Sequence, residues 1–287
     1  MVSGMKAYEL GLYEKAMPDA LSWREKLLCA KDCGYDFVEI SIDETDAKLA
    51  RLDWPKEERR QLCAVMAETE LPVRSMCLSG HRKYPLGSAD PAIRARSLEI
   101  AEKAILLAAD LGVRTIQLAG YDVYYEESSA ESKRLFLENL RRCVALAARH
   151  GVLLGFETME TDFMNTVWKS MFYVNAIGSP YLGVYPDIGN LTNAAAAGKA
   201  GVLGDLASGA GHLIAMHLKA TKPGVFRDLY FDDPAQHVDF AAGIAEAWRL
   251  GVRRYVTELW CLDKPEWKEN IQTANRRMRE ILDRQQP

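Results

Sequence analysis

Eight short apolar runs, each followed by polar or helix-patterned sequence, constrain this 287-residue chain more than any other feature. The runs are YELGLY (8–13), FVEISI (37–42), VRSMCL (73–78), TIQLA (115–119), VLLGFE (152–157), LGVYPD (182–187), LIAMHL (213–218) and YVTEL (255–259). Between them, LSWREKLLCAKDCG (21–34) places leucines and cysteines at three-to-four spacing and stops at a glycine. PAIRARSLEIAEKAILLAADLG (91–112) opens on proline and closes on glycine. SSAESKRLFLENLRRCVALAARHG (128–151) opens on serines, as helices do, and ends the same way. DFAAGIAEAWRLG (239–251) and PEWKENIQTANRRMREIL (265–282) complete the helical set. Strands that alternate with helices predict a parallel sheet, and eight such units predict closure into a (β/α)8 barrel, a fold of about 250 residues. One domain over residues 1–287 is expected, because nothing in the chain reads as a linker. The small-residue stretch 193–211 reads as helix and loop packed on the barrel, and KEERR (56–60) as a solvated helix face.

Composition narrows the function. A net charge of −4 argues against a nucleic-acid partner held by bulk charge. No run of 18 apolar residues is present, and the leading MVSGMKAYEL has no apolar signal core. The six cysteines form no CxxC pair, and Cys29 and Cys33, four apart, read as buried thiols on one helix face. A cytoplasmic protein with no membrane or nucleic-acid partner is therefore expected.

Each of the last four runs has an acid or a base as its last or next-to-last residue: Glu157, Asp187, His217 and Glu258. Any one of them has a plain explanation as a helix cap or a loop hydrogen-bond acceptor. On four consecutive strands of a barrel they converge at the mouth where barrel active sites sit. Three carboxylates and one imidazole form an O₃N site for one divalent ion such as Mn, Co, Zn or Mg. Glu160 competes with Glu157, but Glu157 lies inside the apolar run and is the preferred ligand. Asn190 lies three residues after Asp187, and Lys219, two after His217, shares its strand face.

Several longer strings resemble a known family. GLYEKAMP (11–18), FVEISIDETDAKLARLDW (37–54), SMCLSGHRKYPLGS (75–88), IQLAGYDVYY (116–125), YPDIGNL (185–191) and HLKATKPGVF (217–226) are similar to the xylose isomerase-like barrels. More closely, they resemble the L-ribulose-5-phosphate (L-xylulose-5-phosphate) 3-epimerases of bacterial L-ascorbate and pentose catabolism. The resemblance implies one metal held by Glu157, Asp187, His217 and Glu258, with Glu157 and Glu258 as two bases that invert C3 of a ketose 5-phosphate through an enediolate. It also implies that Asn190 offers a donor to a substrate oxygen. We expect Lys219, Glu39 and His81 to contact substrate. Phosphate donors are sought among Arg82, Lys222 and Arg227, with the late-loop pair Lys222 and Arg227 preferred. A small-molecule sugar phosphate is the expected partner, and a homodimer the expected assembly.

Two departures stand out. HLKAT (217–221) has Ala220 where the family pattern has an acid, and FDDPAQHVDF (231–240) replaces a short glycine turn. The 231–240 loop is expected beside the substrate pocket, so the substrate is open. Rival readings are an epimerase or isomerase of a free ketose and an inosose-type dehydratase. A multi-metal endonuclease is disfavoured by five histidines and an acidic chain, and a non-catalytic sugar-binding barrel by the paired glutamates.

Overall fold

A computed structural model describes residues 7–198, 201–227, 229–262 and 264–286. The strands are β1 (Glu9–Tyr13), β2 (Phe37–Ile42), β3 (Val73–Leu78), β4 (Thr115–Ala119), β5 (Leu153–Glu157), β6 (Leu182–Val184), β7 (Met216–Leu218) and β8 (Arg254–Thr257). All ladders are parallel, in the order β6-β5-β4-β3-β2-β1-β8-β7. Isolated parallel bridges, Val184 with Leu213 and Asp187 with His217, join the two ends, so the sheet closes into the expected (β/α)8 barrel.

The helices are α1 (Trp23–Asp32), α2 (Asp46–Leu49), α3 (Lys56–Thr69), α4 (Pro91–Leu111), α5 (Ala130–His150), α6 (Val167–Ile177), α7 (Ile188–Ala196), α8 (Val202–Ser208), α9 (Phe240–Arg249) and α10 (Trp267–Asp283). Their ends follow local chemistry. Ser22 and Ser129 form capping boxes on α1 and α5, and Gly112 and Gly151 stop α4 and α5 at φ of 75° and 64°. Periodicity left α2 and α6 unread and showed only the first turn of α3. The small-residue stretch instead holds the end of α7 and all of α8, for α7 starts directly after Asp187. The run 182–187 is ladder only to Val184: Pro186 has no N–H, and Asp187 turns to cap α7.

Strand alternation sorts the side chains into two layers. Leu10, Leu12, Val38, Ile40, Met76, Leu78, Ile116, Leu118, Leu154, Phe156, Met216 and Leu218 pack outward in the main core. The opposite parity faces the barrel axis. There a small apolar plug, Tyr13, Phe37, Cys77, Tyr185, Ala215 and Val256, sits among polar groups. Cys29 and Cys33 are buried, as their helix spacing predicts. No described helix is long and apolar enough to cross a membrane.

Candidate active site

The inward parity carries Glu157, Asp187, His217, Lys219 and Glu258 to the carboxyl-terminal mouth. One donor atom from each of Glu157, Asp187, His217 and Glu258 lies within 4.8 Å of the other three, and all four residues are buried. Glu160 is not in this group.

Each donor is fixed by a different device. Glu157 ends β5, in register with Ala119. Asp187 caps α7: Oδ1 accepts the Asn190 N–H at 2.6 Å, and its own N–H donates to Thr158 Oγ1 at 3.0 Å. Both plain readings of Asp187, cap and ligand, are compatible, because Oδ1 serves the cap and leaves Oδ2, buried beside the Lys219 ammonium, on the side of the cluster. His217 sends Nε2 to Glu39 Oε1 at 2.6 Å. That leaves Nδ1 toward the cluster, 2.9 Å from Glu258 Oε2, 3.9 Å from Glu157 and 4.0 Å from Asp187. An imidazole steered by a carboxylate on its far nitrogen is the usual arrangement behind a metal-binding histidine. Three carboxylates and one aligned imidazole, with Asp187 Oδ2 not spent on the helix, form a donor set that fits a divalent ion.

The charges explain the protonation pattern. Burial, reinforced by Glu258, pushes the Glu157 carboxyl well above its ordinary range. Burial also pushes Asp187 up to about 7 against the pull of Lys219. Glu258 goes the other way: burial opposes its charge, but Lys219 and His217 hold it well below the usual carboxylate range. For His217, burial is outweighed by Glu39 and Glu258, and the imidazole is held well above its ordinary value. The Lys219 ammonium lies 3.1 Å from Asp187 Oδ2 and 3.5 Å from Glu258 Oε2, at the edge of the cluster.

The cleft above is lined by Tyr13, Lys15, Cys77, Ser79, Arg82, Glu157, Met159, Glu160, Asn190, Lys219, Phe226, Arg227, Glu258 and Trp260. Several expected residues lie elsewhere. Glu39 is not on the cleft wall but in the middle of β2, behind His217 and accepting the Tyr185 hydroxyl at 3.0 Å. His81 turns away from the cleft into the layer between barrel and helices, with Nε2 3.2 Å from the Ser97 carbonyl. Lys222 is half-buried, its backbone bridged to Val225, and is not on the cleft wall. Asn190 gives Nδ2 to the Thr158 carbonyl at 2.7 Å. Since a carbonyl only accepts, the amide orientation is fixed, and the buried Oδ1, which has no hydrogen-bond partner among the described residues, is an acceptor rather than the expected donor.

The two departures are also outside the cleft wall. Ala220 faces the outward core, where an acid would need a buried partner. In the 231–240 segment, Phe231 stacks on Phe240 at 5.2 Å, and the His237 N–H donates to the Thr221 carbonyl. Gln117 was missed: inward on β4, its amide nitrogen sits 3.0 Å from His217 Nδ1. A single polar residue inside TIQLA was the available signal.

Known proteins match this frame. Residues 28–281 match the family described as xylose isomerase-like TIM barrel. The chain is 46% identical over 256 residues to L-ribulose-5-phosphate 3-epimerase UlaE of Salmonella paratyphi C (strain RKS4594), covering 89% of this chain and 88% of that protein. The same figures hold for the UlaE of Salmonella typhimurium. Among solved structures, an L-ribulose 3-epimerase superposes with a TM-score of 0.78 at 19% identity, covering 97% of this chain and 95% of the other. A D-allulose 3-epimerase from Methylomonas sp. gives 0.77 at 18% identity, with 97% and 99% covered. The chain belongs to the xylose isomerase-like TIM-barrel family, in the branch of the L-ribulose-5-phosphate 3-epimerases.

Proposed function

We propose that this protein is a divalent-metal-dependent 3-epimerase interconverting L-ribulose 5-phosphate and L-xylulose 5-phosphate. One observation carries the reading: Glu157 and Glu258, from β5 and the end of β8, face one cleft from within one four-donor cluster. Inversion at a carbon next to a carbonyl needs a base on one face and an acid on the other, and two carboxylates across a cleft supply both. The relatives at 46% identity bear the name of this reaction.

Glu157, Asp187, His217 and Glu258 would hold a divalent ion, which would supply polarisation of a ketose carbonyl and stabilisation of the negative charge left at C3. One glutamate takes the C3 proton and the other returns one to the opposite face; the bound epimer sets their order. Lys219, beside Asp187 and Glu258, adds positive charge where the anion develops. Asn190 Oδ1 accepts a substrate hydroxyl. Met159, Phe226 and Trp260 wall the cleft and limit water access. The wall cations Lys15, Arg82 and Arg227 suit a phosphorylated rather than a free ketose.

The test is proton NMR of L-xylulose 5-phosphate in D₂O with enzyme and Mn²⁺ or Co²⁺. Conversion with deuterium entering C3, and none after chelation, is the expected result. Exchange of free ketose alone would move the reading to a free-ketose epimerase, and loss of a hydroxyl to an inosose-type dehydratase.

A further inference from the structure

We propose that Asn193 is a positioning residue: from helix α7 it holds the tip of the turn 222–225 and so seats Phe226 on the cleft wall. The inference rests on reading that cleft as the epimerase site and adds to it the residue that fixes one of its walls.

The turn itself is specified locally. Pro223 and Gly224 take its two central positions, Gly224 has a φ of 71°, and the Val225 N–H donates to the Lys222 carbonyl at 2.8 Å. Proline followed by glycine at positive φ is the pattern of a type II turn. Such a turn is stiff, but nothing within it decides where it sits. Phe226, which lines the cleft, is the next residue.

Helix α7 supplies the seat at two points. At the stem, the Thr221 hydroxyl donates to the Gly189 carbonyl at 3.3 Å; at the tip, Asn193 Nδ2 donates to the Val225 carbonyl at 3.2 Å. Gly189 and Asn193 are four residues apart, one helical turn, so both contacts fall on one side of α7. Asp187, Asn190 and Asn193 follow at three-residue spacing along the same helix. The donor-cluster carboxylate, the buried amide oxygen that faces substrate and the anchor of the turn are thus carried by one rigid element.

Helix formation does not explain Asn193. Alanine, which fills positions 194–197, is the better helix former, and an amide that is only 6% exposed is costly unless it is used. Its use is one-sided. Nδ2 has the Val225 carbonyl, whereas Oδ1 is buried and has no hydrogen-bond partner among the described residues. Donation to a carbonyl fixes the orientation of the amide. A carboxylate of the same shape would set an acceptor against an acceptor.

The experiment uses Asn193→Asp and Asn193→Ala in the full chain. Hydrogen–deuterium exchange of the segment 222–227 is read by mass spectrometry without substrate, and should be about 5-fold faster in both variants, with 187–191 at the wild-type rate. Metal affinity, read by competition with a chelating dye, should be unchanged. In the metal-loaded enzyme, KM for L-ribulose 5-phosphate should rise about 5- to 10-fold with kcat nearly unchanged. Asn193→Asp keeps the volume of the side chain, so it should be no better than Asn193→Ala if the hydrogen bond matters and near wild type if only packing does; it also carries the test if Asn193→Ala does not fold. Gly224→Ala strains the turn from within and should raise KM in the same way, and combining it with Asn193→Asp should add little, because both act through one turn. Wild-type exchange over 222–227 in both variants, or a wild-type KM in Asn193→Asp, would overturn the assignment. Should the wild-type enzyme epimerise no ketose phosphate, the functional reading fails, while exchange over 222–227 still judges whether Asn193 holds the turn.

Discussion

At the scale of single residues, the site is a set of groups each anchored through one atom and turned by another toward the cluster. Asp187 uses Oδ1 on a helix and turns Oδ2 to Lys219; His217 uses Nε2 on Glu39 and turns Nδ1 to Glu258 and Gln117. Replacing Glu258 by Gln keeps an oxygen donor but removes the base, so epimerisation should fall by at least 10³-fold while metal content by elemental analysis is largely retained. Near-wild-type turnover would remove Glu258 from proton transfer. Glu39→Gln tests the support behind His217: metal affinity should fall about 10- to 100-fold with a smaller effect on turnover at saturating metal, read by competition with a chelating dye. An unchanged affinity would show that Glu39 does not steer the ligand.

At the scale of elements, the segment Asp187-Ile188-Gly189-Asn190 packs cap, donor and close contact into one turn. A Cβ on Gly189 would stand 2.6 Å from Thr221 Cγ2 and 2.7 Å from the Lys219 carbonyl, so α7 can approach the strand after His217 only through glycine. Gly189→Ala should cost about 1–3 kcal/mol in urea unfolding and weaken metal binding as well, because moving α7 moves Asp187. Stability loss with unaltered metal affinity would separate helix packing from the site. The β5 and β6 ends are locked in the same way, for Thr158 holds both the Asp187 N–H and the Asn190 amide. Glu157, one residue before Thr158, is thereby tied to Asp187.

At the scale of the whole molecule, buried ionisable groups set the pH range of the fold. Burial depresses His81 from 6.5 to about 4. The unfolded chain therefore takes up that proton first, and the stability from a neutral His81 is full above pH 6.5 and lost as pH falls toward 4. Glu14 joins the end of β1 to Arg51, Lys48 and Lys26. Burial opposes its charge, but those cations, Arg51 foremost, depress it from 4.5 to about 2. Its contribution is full above pH 4.5 and lost as pH falls toward 2. Acid unfolding should thus proceed through two overlapping windows. His81→Gln should flatten the one between pH 6.5 and 4, an effect on the order of 3 kcal/mol in the difference from wild type. Parallel stability–pH curves for the two proteins would show that His81 is not the group concerned.

Much of this was legible in the chain, because periodicity is local. Alternation within one strand settles which side chains share a face, as for His217 and Lys219, and the strand-end positions of Glu157, Asp187, His217 and Glu258 point to one mouth once a barrel is expected. Glycine and serine marked the ends of α4 and α5 for equally local reasons. The remaining contacts depend on register between strands and on which way a loop turns. Glu39 lies mid-strand, yet the stagger of the barrel brings it level with His217, 178 residues away. Gln117 reaches the same imidazole from 100 residues away. His81 and Arg82 are adjacent, and a single 3-10 turn sends one into the core and the other over the cleft. Local pattern along the chain specifies the strand–helix alternation and the inward residues of each strand, since the latter follow from the two-residue repeat. Closure of the sheet determined which of those residues meet, since that is a property of strands remote from one another in the chain.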